Sequence, residues 1–219
     1  MRGAGPSLLL GKVYGWLAPT DPPQQSDVIF VLAGRECRKY FGLRLFEQGW
    51  ADGLLLSVGR FEVRRFSSLR LPAALDLLAI ASETEPRYRH YFVRVQDKKA
   101  EWKRVEIGWF GTFSEIRAFS DWLKADPSVR SVMVVSSGFH LRRVRMCCRN
   151  LICASPKLMF VSVPEEDSGF RGNWWRNAMA RKMVLTELAK LPVYKVLVLG
   201  TKCKRMFGLA QRKNHIREP

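Results

Sequence analysis

Apolar residues arrive along this chain in short blocks, separated by polar turns that usually carry glycine. Asp27 opens DVIFVLAG, a continuous apolar run of strand length closed by glycine, as expected of a strand buried on both faces. RECRKYFGLRLFEQG then places Tyr40, Phe41, Leu45 and Phe46 at helical spacing and stops at Gly49. ADGLLLSVGRF is a second strand, ending in Ser57-Val58-Gly59-Arg60. LPAALDLLAIASETEP reads as a helix with Pro72 near its first turn, stopping before Pro86. YFVRVQ and AEWKRVEI alternate apolar and charged positions on either side of DKK and predict a hairpin, although Lys98 and Lys99 are not a favoured turn pair.

In the second half, Thr112-Phe113-Ser114-Glu115 has capping-box spacing at the head of the helix TFSEIRAFSDWLKAD, which buries Ile116, Phe119, Trp122 and Leu123. SVRSVMVVSS is a third strand, GFHLRRVRMCCRNLI a helix, KLMFVSVP a fourth strand and NWWRNAMARKMVLTELAKL the last helix. PVYKVLVLG fits a strand or an apolar arm, and residues 202–219 read as a loosely held, mostly basic tail. Strands alternating with helices predict an α/β fold: a mostly parallel sheet, helices on both faces, and the hairpin as an insertion. Residues 1–26 are then an N-terminal arm and linker, 27–200 one α/β domain, and 201–219 a basic tail.

Charge narrows the choice of partner. Lys+Arg outnumber Asp+Glu by 37 to 20, a formal charge of +17, which favours phosphorylated ligands, an anionic membrane surface or nucleic acid. Nucleic acid ranks last, because no standard reader of bases accompanies the basic segments. Five cysteines in no paired spacing give no zinc pattern and suit a reducing, cytoplasmic setting. Lys12 and Gly15 interrupt the N-terminal apolar patch, so neither a bilayer span nor a signal peptide is expected there.

Parallel sheets bind ligands at the carboxyl ends of their strands, which directs attention to 33-AGREC-37, 57-SVGRF-61, 136-SSGFH-140 and 164-PEEDSG-169. Arg35, Arg38 and Lys39 crowd the start of a helix, where positive charge opposes the macrodipole unless an anion sits there. In 136-SSGFHLRR-143, Ser136 and Ser137 end a strand, while His140 and Arg143 share a helix face at i,i+3. Ser137 and Arg143 could hold a phosphate or carboxylate at that helix start, with His140 as acid, base or donor; the plainer reading is a serine cap on a solvated basic helix. Thr112 and Glu115 read first as a cap. Neither a G-x-G-x-x-G fingerprint nor a P-loop is present.

The order of these motifs resembles the YdcF-like, SanA-like and ElyC-like bacterial family of unknown function. Asp27 to Gly34 is similar to its opening Asp-Val-Ile-Val-Val-Leu-Gly strand, with Ala33 and Arg35 in place of glycines. Arg38, Gly42, Leu45 and Gly49 resemble its early helix, and Ser57 and Gly59 its Ser-Gly-Gly turn, from which Val58 departs. Glu106, Thr112 and Glu115 resemble an acidic residue followed by Thr-x-x-Glu. Ser136 to Val144 is similar to Thr-Ser-x-x-His-x-x-Arg-Ala, keeping Ser137, His140 and Arg143 in place, and Trp174, Glu187 and Lys190 have counterparts near the end.

The resemblance spans residues 27 to 195. It implies a Rossmann-like three-layer sandwich and a link to the cell envelope, while the family's activity is unassigned. It strengthens the pocket reading of His140 and Arg143. The convergence of these loops on one sheet edge then makes His140, Glu115 and Glu106 the candidate catalytic residues, and Arg38, Ser57, Gly59, Arg60, Thr112, Ser136, Ser137 and Arg143 the candidate ligand contacts. An anionic small molecule is the expected partner, with a nucleotide or S-adenosylmethionine as candidates. Peripheral contact with an anionic membrane is the alternative.

Overall fold

Strict alternation along the first strand, β1 (Ser26–Val31), sends Ile29 and Val31 into one core and Val28 and Phe30, with Leu32 beyond it, into another. A strand apolar on both sides must lie between two layers of helices. The computed structural model describes residues 6–215 except 67, 70, 72–74, 153–155 and 170–172, and does not describe the side chains of 6–8 and 202–215.

β2 (Ala51–Val58) and β5 (Ser131–Ser136) flank β1 in parallel, and β6 (Lys157–Ser162) extends the sheet beside β5. β3 (Tyr91–Gln96) runs antiparallel to β2 and forms a hairpin with β4 (Lys99–Arg104), giving the order β4-β3-β2-β1-β5-β6. The hairpin turns at Asp97-Lys98, both at positive φ (49° and 61°), the primed geometry that matches strand twist. The molecule is thus an α/β, Rossmann-like three-layer sandwich with a mostly parallel sheet and an inserted hairpin.

α2 (Glu36–Glu47), α3 (Val63–Phe66) and α4 (Leu77–Ser82) cover one face. Contact there is close enough that a Cβ on Gly42 would lie 2.3 Å from Val31 Cγ2, which is why a small residue interrupts α2. α4 is shorter than the helix expected from residue 71, because the Asp76 carboxylate accepts from Ala79 N and starts the helix there. The expected first turn at Pro72 lies outside the described residues.

α5 (Gly111–Ala125) and α6 (Gly138–Leu151) cover the other face, where Phe30 stacks on Phe119 at 3.9 Å between centroids. The capping box expected at Thr112 does not form. Phe110 occupies the cap position, and both Thr112 and Glu115 are drawn to tertiary partners instead.

α1 (Pro6–Leu17) lies across α6, and Trp174 Nε1 donates to Leu10 O at 3.0 Å to hold it. The linker after α1 lines the edge strand β6, with Asp21 N donating to Phe160 O at 2.7 Å. α7 (Glu165–Ser168) follows β6. The last helix, α8 (Ala178–His215), contains Pro192, so PVYKVLVLG is helical rather than strand or arm. Val184, Glu187, Tyr194 and Val198 are spaced to bury one side of α8, and that spacing overrides the β-leaning composition of the run. The helix continues without a break into the segment read as a tail. Among the described residues, no helix is long and apolar enough to cross a membrane.

Candidate functional site

β1 passes its chain to β2 on one side, while β5, paired with β1 on the other, passes its chain away to β6. The two turns therefore leave for opposite faces of the sheet, and a crevice is left between them, the place where open α/β sheets take ligands. Arg38 spans it from α2. Its Nε donates to Ser137 Oγ at 2.9 Å, and Nη1 donates to Ala33 O. Ser137 sits at the head of α6 but makes no capping bond, its hydroxyl being engaged by the arginine. Gly34, at φ 130°, lets the turn pass Arg38, whose Nη1 would lie 2.9 Å from an added Cβ.

Behind this bridge lie two buried polar groups. In the first, Arg143 makes a two-pronged pair with Glu187, Nε to Oε2 and Nη2 to Oε1, each 2.8 Å. Its Nη1 donates to Thr112 Oγ1 at 2.8 Å, and its guanidinium lies 4.5 Å from the Tyr194 ring centroid. His140 Nδ1 lies between the two, 2.9 Å from Arg143 Nη2 and 3.2 Å from Glu187 Oε2, and its Nε2 lies 3.5 Å from Thr112 Oγ1. Burial first, then the charge of Arg143, push His140 down to about 3, so the ring is neutral. Burial alone would raise Glu187, but hydrogen bonds from His140 and Arg143 hold it well below the usual carboxylate range.

In the second group, Glu115 Oε1 accepts from Ala33 N at 2.7 Å and its carboxylate accepts from Ser57, while Ser57 Oγ lies 2.8 Å from His90 Nε2. Burial raises the Glu115 carboxyl against those bonds and against Lys39 and Arg38. Burial, then the Lys39 charge, push His90 down to about 4. Lys39 donates to Leu32 O at 3.0 Å and pairs with Glu62, which also accepts from Gly59 N at 2.9 Å.

The cluster thus holds three cations, Arg38, Lys39 and Arg143, against three carboxylates, Glu62, Glu115 and Glu187. Protonation of Glu115, which its burial favours, would leave a positive excess beside Arg38 and the turn after β1. Ser136 is fully buried at the end of β5, and its hydroxyl has no partner among the described residues.

Two cavities flank the turn after β1. One of about 160 Å³ is lined by Gly34, Lys39, Val58, Glu62 and Arg65; another of about 300 Å³ is lined by Arg35, Asn173, Trp174, Asn177 and Met183. Neither is lined by His140, Arg143 or Glu115, which lie beneath the surface.

Of the residues singled out in sequence, Arg38, Ser57, Thr112, Glu115, Ser137, His140 and Arg143 are joined in these two groups, with Gly59 at their edge and Ser136 at a strand end beside them. Glu106 and Arg60 are exposed: Glu106 lines a separate surface cavity with Lys103 and Arg117, and Arg60 lies over Phe61. Lys39, Glu62, His90 and Glu187 complete the groups. Glu187 had a sequence signal in its place in the resemblance, and Lys39 in the basic crowding at its helix start. Glu62 and His90 come from separate elements that only the fold brings together. No family model, curated protein or solved structure matches this chain.

Proposed function

We propose that this is a YdcF-like α/β protein that binds a phosphorylated or nucleotide-like small molecule at the carboxyl edge of its sheet, with a link to cell-envelope metabolism. The observation that carries the reading is Arg38 bridging the crevice to Ser137, where the two turns part. Cations already assembled there can exchange protein carboxylates for ligand oxygens, and the free hydroxyl of Ser136 offers a further donor. In a hydrolase or transferase version, the neutral His140 acts as the base that takes a proton from an attacking water, and as imidazolium it returns that proton to the leaving oxygen, while Glu115 moves a proton along Ser57. Binding requires neither step. The reading places the chain in the cytoplasm, in reach of nucleotides, S-adenosylmethionine and polyprenyl phosphates.

Calorimetric titration of those three ligand classes tests it, using wild type, Arg38→Ala and Arg143→Ala chains whose near-ultraviolet circular dichroism is unchanged. A ligand bound by wild type and weakened by either substitution supports the reading. Equal affinity for every ligand in all three chains overturns it. The second reading, contact with an anionic membrane, has its own observation on the outer side of α8.

A further inference from the structure

α8 carries apolar residues on the side that the fold does not use. Its buried side, Val184, Glu187, Tyr194 and Val198, faces the domain. On the opposite side, Leu185, Val193, Val196 and Leu199 stand exposed, Val196 by 71 % and Leu185 by 57 %. At 1.5 Å per residue the stripe from Leu185 to Leu199 runs about 21 Å. Helices in contact with water normally put charge there, so a row of branched aliphatics marks a surface with an occupant.

Beside the stripe, a groove of about 850 Å³ lies between α6 and α8, its apolar walls formed by Met146, Leu188, Leu191 and Pro192. Its charged residues are all cations: Arg142, Arg145 and Arg149 from α6, and Lys195 from α8. Among the described residues, only Arg145 of these has a carboxylate partner, Asp21 at 3.3 Å. Arg142 stacks on the half-exposed Trp16, 4.1 Å from its ring centroid, an aromatic ring of the kind that settles at headgroup depth. The single acidic residue of α8 is Glu187, and it is turned inward to Arg143.

We infer that this face docks the protein on an anionic phospholipid bilayer, with α8 lying in the plane of the surface. Val193, Val196 and Leu199 enter the boundary of the acyl chains. Arg142, Arg149 and Lys195 meet the lipid phosphates. Charge complementarity selects this occupant, since a cationic rim around an aliphatic row matches an anionic headgroup layer over hydrocarbon. A nucleic acid would match the cations but leave the aliphatic row in water, because bases stack on aromatic rings and arginine planes. A second copy of the chain would bring like charge against like. The inference is independent of the ligand reading above, since none of these residues belongs to the crevice.

The test is co-flotation of the full chain with vesicles of phosphatidylcholine alone and of phosphatidylcholine with phosphatidylglycerol. The expected result is binding to the second vesicle only, weakened by salt. Val196→Glu with Leu199→Glu abolishes it; both side chains are exposed, so the fold is retained. Arg142→Ala and Arg149→Ala each lower partitioning roughly fivefold. Lys99→Ala, on the distant hairpin, leaves it unchanged and separates location from net charge. Three results overturn the inference: equal binding by wild type and the Val196/Leu199 variant, a dimer in light scattering that this variant makes monomeric, or gel-shift binding to an oligonucleotide with no flotation.

Discussion

Arg38 Nε lies 2.9 Å from Ser137 Oγ, so a helix on one face of the sheet is bonded to the residue that starts a helix on the other. Such a bond holds the two sides of the crevice at one spacing. Replacing Ser137 by alanine leaves a buried guanidinium short of an acceptor, at an expected cost of about 1–3 kcal/mol. Ser136 is one residue earlier and equally buried, but its hydroxyl has no partner among the described residues, so Ser136→Ala is expected to change stability by under about 0.5 kcal/mol or to raise it. Urea unfolding of the two variants side by side checks the contrast.

Among the described residues Glu187 is the sole carboxylate paired with Arg143, so Glu187→Gln strands a buried cation. A loss of about 3–5 kcal/mol is expected. Removing both charges in Arg143→Met/Glu187→Leu should recover most of that loss, because packing replaces the pair. A double-mutant cycle from denaturant midpoints measures it.

Acid should weaken the fold through two rings. His90 and His140 are pushed down to about 4 and about 3, against an ordinary value of 6.5 in the unfolded chain. Below pH 6.5 the unfolded chain takes up those protons first. Their contribution is therefore complete above that pH and is lost as pH falls through the two folded values. At pH 5 the loss is about 2 kcal/mol per ring. Glu115, raised by burial, acts in the opposite sense: its contribution is present below the ordinary carboxylate value and declines as pH rises. Comparing wild type with His90→Asn and with His140→Asn, each at pH 7 and pH 5, isolates the rings from that carboxyl.

Gly138 opens α6 directly beneath α1. An added Cβ would lie 2.7 Å from Tyr14 Oη and 3.0 Å from Ser162 Oγ, so Gly138→Ala should lift α1 while leaving the sheet in place. Limited proteolysis should then cut between α1 and β1 at least several times faster than in wild type, with the unfolding midpoint lowered by about 1–3 kcal/mol of stability. Tyr14→Phe in the same chain removes the closest atom and should restore resistance.

The sheet was legible because its strands are apolar on both faces and glycine or polar turns separate them; DVIFVLAG and SVMVVSS carry that signal without help from neighbours. The first half of α8 was legible too, but its continuation from Pro192 was not, because Val193, Val196 and Val198 lean toward strand locally and only docking on α6 makes the run a helix. Thr112 and Glu115 show the same limit in the site. Their spacing is that of a cap, yet Arg143 and Ala33 N, both distant in sequence, compete for the two side chains and win. His90 carried no pattern, and Lys39 only the basic crowding at its helix start, since their partners Ser57 and Glu62 are supplied by topology.

The pairing of Glu187 with α6 also sets an order of assembly. A ribosome delivers Arg38, Glu115, His140 and Arg143 before the carboxylate that neutralises the last of them. Until α8 emerges, Arg143 on α6 lacks both the Glu187 carboxylate and the Tyr194 ring against which its guanidinium lies. The buried polar group behind the Arg38 bridge is consequently among the last parts of the molecule to be completed, and a chain stopped short of Glu187 would leave Arg143 without that carboxylate.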